Sequence, residues 1–183
     1  MAALLSMDGA LFTELVEQLA MRGRGTRESG AFLLADRKVP DGRRPQPVTA
    51  IAYYDDLDPG CLTGAINFTA DGFTALAALC RRAELRVVAD IHTHPKGRVA
   101  QSPIDAAHPM VALDGHVAII APRYAAGAVS PADLGVHVRQ DGTWTSLYRA
   151  DAADALQVLR ERPTLWARLI GRAKNLLHYK ESR

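Results

Sequence analysis

The chain has 183 residues and a formal net charge of +2, from 22 Lys and Arg against 20 Asp and Glu. Its 48% apolar and 23% charged residues are the mix of an ordinary globular domain with a sizeable core, not of a disordered tail. That charge argues neither for nor against nucleic acid, and the chain has no run of about 18 apolar residues to span a membrane. In chain order, Leu11, Leu15 and Leu19, with Phe12 and Val16 beside them, predict an amphipathic helix over 8–21. Asp8, Glu14 and Glu17 within it speak against a signal peptide. The basic connector Arg22-Gly-Arg-Gly-Thr-Arg27 follows. Its Gly-x-Gly has no strand before it and is not a nucleotide loop. Residues 28–35, Glu-Ser-Gly-Ala-Phe-Leu-Leu-Ala, predict a buried strand, 36–47 an exposed polar turn, and 48–54 a second strand as hairpin partner of the first. The acidic turn at 55–60 lacks the spaced oxygen ligands of a calcium loop, and 65–68 is at most a short strand. A helix over 71–84 would turn Phe73, Leu76, Ala77, Leu79 and Cys80 toward the core. Cys61 and Cys80 are the only cysteines, with no short spacing, which fits neither a disulfide framework nor a zinc knuckle and suits a reducing cytosol.

Residues 85–92 are apolar and β-branched, and predict a strand running into His92. Alternation along that strand would project His92 and His94 together and Thr93 away, with Pro95 ending the strand. After residues 95–101, Ser102-Pro-Ile-Asp105 reads as a helix start, with serine as N-cap, proline at the first helical position and aspartate in the first turn. Separately the two halves are commonplace. His-x-His is often two polar residues at a strand edge, and Ser-Pro-x-Asp is more often plain capping. In this order and spacing they make three ligands for a divalent ion, His92, His94 and Asp105, with a fourth position left for water: a hydrolytic zinc centre. Asp90, two residues before His92, is compatible with orienting an imidazole. Beyond the site, the sequence predicts a short helix over 106–113, with His108 on the face of Asp105, and strands over 116–121, 134–139 and 143–147. Asp141-Gly142 turns the last two into a hairpin, and His137, between Val136 and Val138, is expected to point outward. A second unit follows: a helix over 150–160, a break near Pro163, and a helix with Trp166, Leu169, Ile170, Ala173 and Leu177 on one face, for packing on the domain or on a partner.

His-x-His-Pro, a gap of seven residues from His94 to Ser102, and Ser-x-x-Asp resemble the JAMM signature of the JAB1/MPN metallopeptidases, which His92, His94, Ser102 and Asp105 match position by position. That family also carries a glutamate on an early strand before a glycine-containing apolar run, and Glu28 takes this place in Glu28-Ser-Gly-Ala-Phe-Leu-Leu-Ala. The resemblance covers roughly residues 10–150. It supports what the order of elements suggests, an α/β fold: an MPN/JAB (cytidine-deaminase-like) α/β/α sandwich with a central mixed β-sheet. It implies a JAMM domain over 1–149, with 150–183 as a helical extension. It also implies one Zn2+ per chain on His92, His94 and Asp105, Glu28 as general base, and Ser102 as hydrogen-bond donor to the oxyanion. The implied reaction is cleavage after the C-terminal glycine of a ubiquitin-like protein, in a bacterial conjugation or antiphage defence pathway beside its activating and conjugating enzymes. Processing of a sulfur-carrier protein, or a noncatalytic MPN scaffold, are the alternatives. The expected setting is the cytoplasm, with no nucleic acid and no membrane as partner. A metal on a strand end beside an exposed sheet edge would let an extended tail bind by main-chain pairing.

Overall fold

The computed structural model describes residues 2–159. The chain enters through strand β1 (Leu5–Asp8) and passes directly into helix α1 (Gly9–Gly23). Asp8 caps that helix, its carboxylate accepting from the Ala10 N–H at 2.9 Å, and Arg24 closes it in the left-handed region. There follow β2 (Gly30–Asp36), β3 (Gln46–Val48), β4 (Ala50–Tyr53), α2 (Tyr54–Leu57), α3 (Ala70–Arg82) and β5 (Leu85–Thr93). The remaining elements are α4 (Pro103–Ala107), β6 (Val117–Ala121), β7 (Gly135–Gln140), β8 (Thr143–Tyr148), α5 (Ala150–Ala155) and β9 (Leu156–Leu159).

Six of these strands form one mixed sheet in the order β4-β2-β5-β6-β7-β8. β5 and β6 run parallel, and the other pairs are antiparallel. Alternation along each strand divides the side chains between two faces. Ala31, Leu33, Ala89 and Ile91 pack with Leu15 and Leu19 of α1 on one face, together with Leu5, Met7, Ala152, Ala155 and Leu156. Phe32 and Leu34 pack on the other face with Tyr54, Cys61 and Leu76. Each fully buried leucine of this kind contributes about 1.5–3 kcal/mol of burial free energy. The result is an α/β fold with a central mixed sheet and helices, as the order of elements predicts. A second sheet, β3-β1-β9, is wholly parallel and lies with α1 in the first core.

Several elements differ from the sequence expectation. The helix expected over 150–160 ends at Ala155, because Leu156–Leu159 pairs with β1 as a parallel strand. The helix carrying Trp166 and Leu177 lies outside the described residues. The turn expected over 36–47 contains the start of β3, where buried Gln46 donates its amide to the carbonyls of Pro40, Asp41 and Arg43 at 2.9, 2.7 and 2.8 Å. On α3 the buried stripe is narrower than predicted. Phe73 is 39% exposed and Ala77 is exposed, whereas Gly72 is buried against the Phe68 ring. α4 stops at Ala107 instead of running to 113, and 65–68 makes only the isolated bridge Leu62–Ile66. Among the described residues no helix is long and apolar enough to cross a membrane.

Candidate metal centre

β5 lies between β2 and β6, so the strand that carries the site is hydrogen-bonded along both edges. His92 is its penultimate residue. His94 stands one residue beyond its end, its N–H donating to the Ala121 carbonyl and its carbonyl accepting from the Tyr124 N–H, both at 2.8 Å. The extended backbone brings the two rings to one side, with His92 Nε2 and His94 Nε2 3.2 Å apart. Thr93 points to the opposite face, fully buried, where its hydroxyl accepts from the Ser29 N–H at 3.0 Å. The alternation read from the sequence holds.

Asp105 reaches the same point from α4. Ser102 is the N-cap, its Oγ accepting from the Asp105 N–H at 3.2 Å while Asp105 Oδ2 accepts from the Ser102 N–H at 2.6 Å. This reciprocal cap fixes the carboxylate with Oδ2 3.2 Å from His94 Nε2 and Oδ1 3.7 Å from His92 Nε2. Ligands held about 2.0–2.1 Å from a tetrahedral zinc ion are about 3.3 Å from one another. The two imidazole nitrogens, 3.2 Å apart, have that spacing, and with one carboxylate oxygen of Asp105 the three donor atoms all lie within 4.8 Å of one another. His94 Nδ1 lies 3.2 Å from the Arg98 carbonyl, which can only accept, so Nδ1 carries a proton and Nε2 is the nitrogen turned toward the site. The donor set is compatible with a metal.

The charges agree. Burial opposes ionisation of Asp105, but the neighbouring His92 and His94 imidazoles and the bond from the Ser102 N–H hold its carboxyl well below the ordinary range. The bond to Asp105 in turn raises His94 above its usual value, against the effect of burial. A carboxylate that draws positive charge onto the adjoining His94 ring will stabilise a cation placed beside it. Glu28 sits two residues before β2, with its N–H donated to the Gly64 carbonyl at 2.9 Å. Burial raises its carboxyl above the ordinary value, with His92 and His94 countering and Asp105 adding to the rise. Glu28, His92, His94, Ser102 and Asp105 all line one cavity of about 540 Å³.

No family model matches the chain. Solved structures resemble it. A protein from Desulfitobacterium hafniense is 16% identical with a TM-score of 0.58, over 86% of this chain and 94% of that one. A protein from Salinibacter ruber is 18% identical with a TM-score of 0.52, over 87% and 94%. A JAB1/MPN domain protein from Archaeoglobus fulgidus is 14% identical with a TM-score of 0.41, over 81% and 98%. The first two share the fold alone. The chemistry rests on this chain's own residues.

Some residues near the site behave otherwise than expected. Asp90 orients an imidazole, but that of His116. The Asp90 Oδ1 to His116 Nε2 distance is 2.6 Å, and the Tyr54 hydroxyl donates to Oδ2 at 3.3 Å, all three side chains being buried. His137 does not point outward. Its face of β7 is the one predicted by alternation, but the loop 95–101 covers that face and buries the ring completely. Nothing local in Val136-His137-Val138 announces the cover. His108 lies at the exposed end of α4 and borders the cavity without a hydrogen bond to the ligands. Burial pushes the Cys61 thiol up to about 11, which leaves it a packing residue. Both edges of β5 are occupied, so the ligand-bearing strand itself offers no edge to an extended tail; the outer strands of the central sheet are β4 and β8.

Proposed function

We propose that this chain is a zinc-dependent peptidase or isopeptidase of the JAB1/MPN kind, cutting after the C-terminal glycine of a ubiquitin-like protein. The observation that carries the reading is the convergence of His92 Nε2, His94 Nε2 and the Asp105 carboxylate, 3.2–3.7 Å apart, in the same cavity as Glu28. A zinc ion held by these three ligands would acidify a bound water and polarise the scissile carbonyl. The rest is the work of the protein. Glu28 accepts the water proton and passes it to the leaving amine, its burial bringing its proton affinity nearer to what that transfer needs. Ser102 Oγ already accepts from the Asp105 N–H, so its own hydrogen is free for the substrate oxygen as charge develops there. Ile66, Phe68, Phe73 and Met110 give the cavity an apolar wall, against which a glycine lets the substrate backbone approach closely. The setting that suits these residues is the cytoplasm, where the free thiols of Cys61 and Cys80 stay reduced. There the enzyme would act beside the activating and conjugating enzymes of a bacterial modifier, in antiphage defence.

The test is a ubiquitin-like protein with a C-terminal extension, offered to the zinc-loaded chain. The extension should be released after the glycine. Glu28→Gln should keep its zinc and lose about 10²–10⁴-fold in turnover. An extension left intact by the zinc-loaded wild type, across ubiquitin-like and sulfur-carrier substrates, would overturn the reading.

A further inference from the structure

The loop 95–101 connects the two halves of the metal site, from His94 to Ser102, and a histidine on a distant strand holds it. His137 of β7 is fully buried, with Nε2 3.0 Å from the Val99 carbonyl and Nδ1 2.9 Å from Ser146 Oγ. A carbonyl only accepts, so Nε2 carries the proton and donates to Val99, and Nδ1 accepts from the Ser146 hydroxyl. Burial lowers the pKa of His137, in keeping with this neutral form. Two strand positions earlier, Gly135 gives the loop room: a Cβ there would run into the Val99 carbonyl. The carbonyl just before Val99 is that of Arg98, the group that orients His94 Nδ1.

We propose that His137 is a positioning residue of the metal centre: by fixing the Val99 carbonyl it fixes that of Arg98, and so holds His94 with Nε2 toward the ion. This rests on the metal site proposed above. A histidine that merely filled the space under a loop would affect stability but leave the affinity for the ion unchanged. Outer hydrogen-bond partners of metal-binding histidines are worth about 10–100-fold in affinity, which sets the expected effect.

The experiment is zinc affinity by chelator competition, measured well below the melting temperature of every variant. His137→Leu should weaken zinc binding about 10–100-fold. Ser146→Ala, at an exposed residue of β8, should weaken it less and serves if His137→Leu does not fold. His137→Gln, which can still donate to Val99, should recover most of the loss. Leu156→Ala, in the core on the other face of the sheet, should lower stability and leave the affinity alone. Equal affinity in His137→Leu, Ser146→Ala and wild type would overturn the inference while leaving the metal site standing. A wild type that binds no zinc would overturn the metal site. The loop contact is read separately in the metal-free protein, from amide exchange at Arg123, whose N–H donates to the Lys96 carbonyl at 3.0 Å. Faster exchange there in His137→Leu than in Leu156→Ala is expected. Unchanged exchange would refute the positioning role whatever the zinc result.

Discussion

The Ser102 hydroxyl serves two purposes that a simple deletion does not separate. Its oxygen caps α4 by accepting from the Asp105 N–H, and its hydrogen is the one available to a substrate oxygen. Ser102→Ala should therefore cost about 1 kcal/mol of capping, loosen Asp105, and weaken zinc binding as well as turnover. Ser102→Thr keeps both functions and should stay near wild type in zinc competition. An alanine variant with full zinc affinity and lost turnover would confine Ser102 to the chemistry; full retention of both would remove it from the site. The same residue shows what was legible in the sequence. His92, His94, Ser102 and Asp105 could be placed because strand alternation and helix capping are rules of nearest neighbours. Asp90 with His116, and His137 with Val99, could not. Their partners are 26 and 38 residues away, and only the closed sheet and the loop folded over it bring them together.

Among the elements, β2 and β5 meet where the glutamate and the histidines must come together. Gly30 stands opposite His92, and a Cβ on it would run into the Tyr54 ring and meet the Ile91 carbonyl at 2.8 Å. Tyr54 is itself fixed, fully buried and bonded to Asp90. Gly30→Ala should therefore cost about 1–3 kcal/mol through overpacking, seen as a lower urea midpoint with unchanged slope. An unchanged midpoint would mean that Tyr54 yields freely and does not brace the strand pair. The glycine within Glu28-Ser-Gly thus has a packing reason beside the motif. Helices α1 and α3 and the six central strands followed from periodicity because they are long enough to show one or are bounded by turns. β1, β3 and β9 have only three or four residues each, and none reveals a pattern alone. Leu156–Leu159 follows the alanine-rich α5 and reads as more helix until its pairing with β1 overrides that propensity.

At the scale of the whole molecule, the larger core and the metal site lie on opposite faces of the central sheet. The metal site opens on the face of Phe32 and Tyr54, whereas β1, α1, α5 and β9 close the other core. β1 is the middle strand of the small sheet, with Leu5 opposite Leu156 and the Leu4 N–H donated to the Ala155 carbonyl at 2.9 Å. The two ends of the described chain thus hold each other. Leu156 is 1% exposed, so Leu156→Ala should cost about 2–5 kcal/mol, a large part of the roughly 5–15 kcal/mol of a typical domain. Ending the chain after Leu147 removes far more: Ala152, Ala155 and Leu156 leave the core, and β1 loses one of its two partners. That protein should show no cooperative melting transition, while Leu156→Ala should melt cooperatively at a lower temperature with zinc affinity intact. A chain ended after Leu147 that melts like the full one would show that β3 alone secures β1. Loss of zinc affinity in Leu156→Ala, measured while folded, would show that the two faces are coupled.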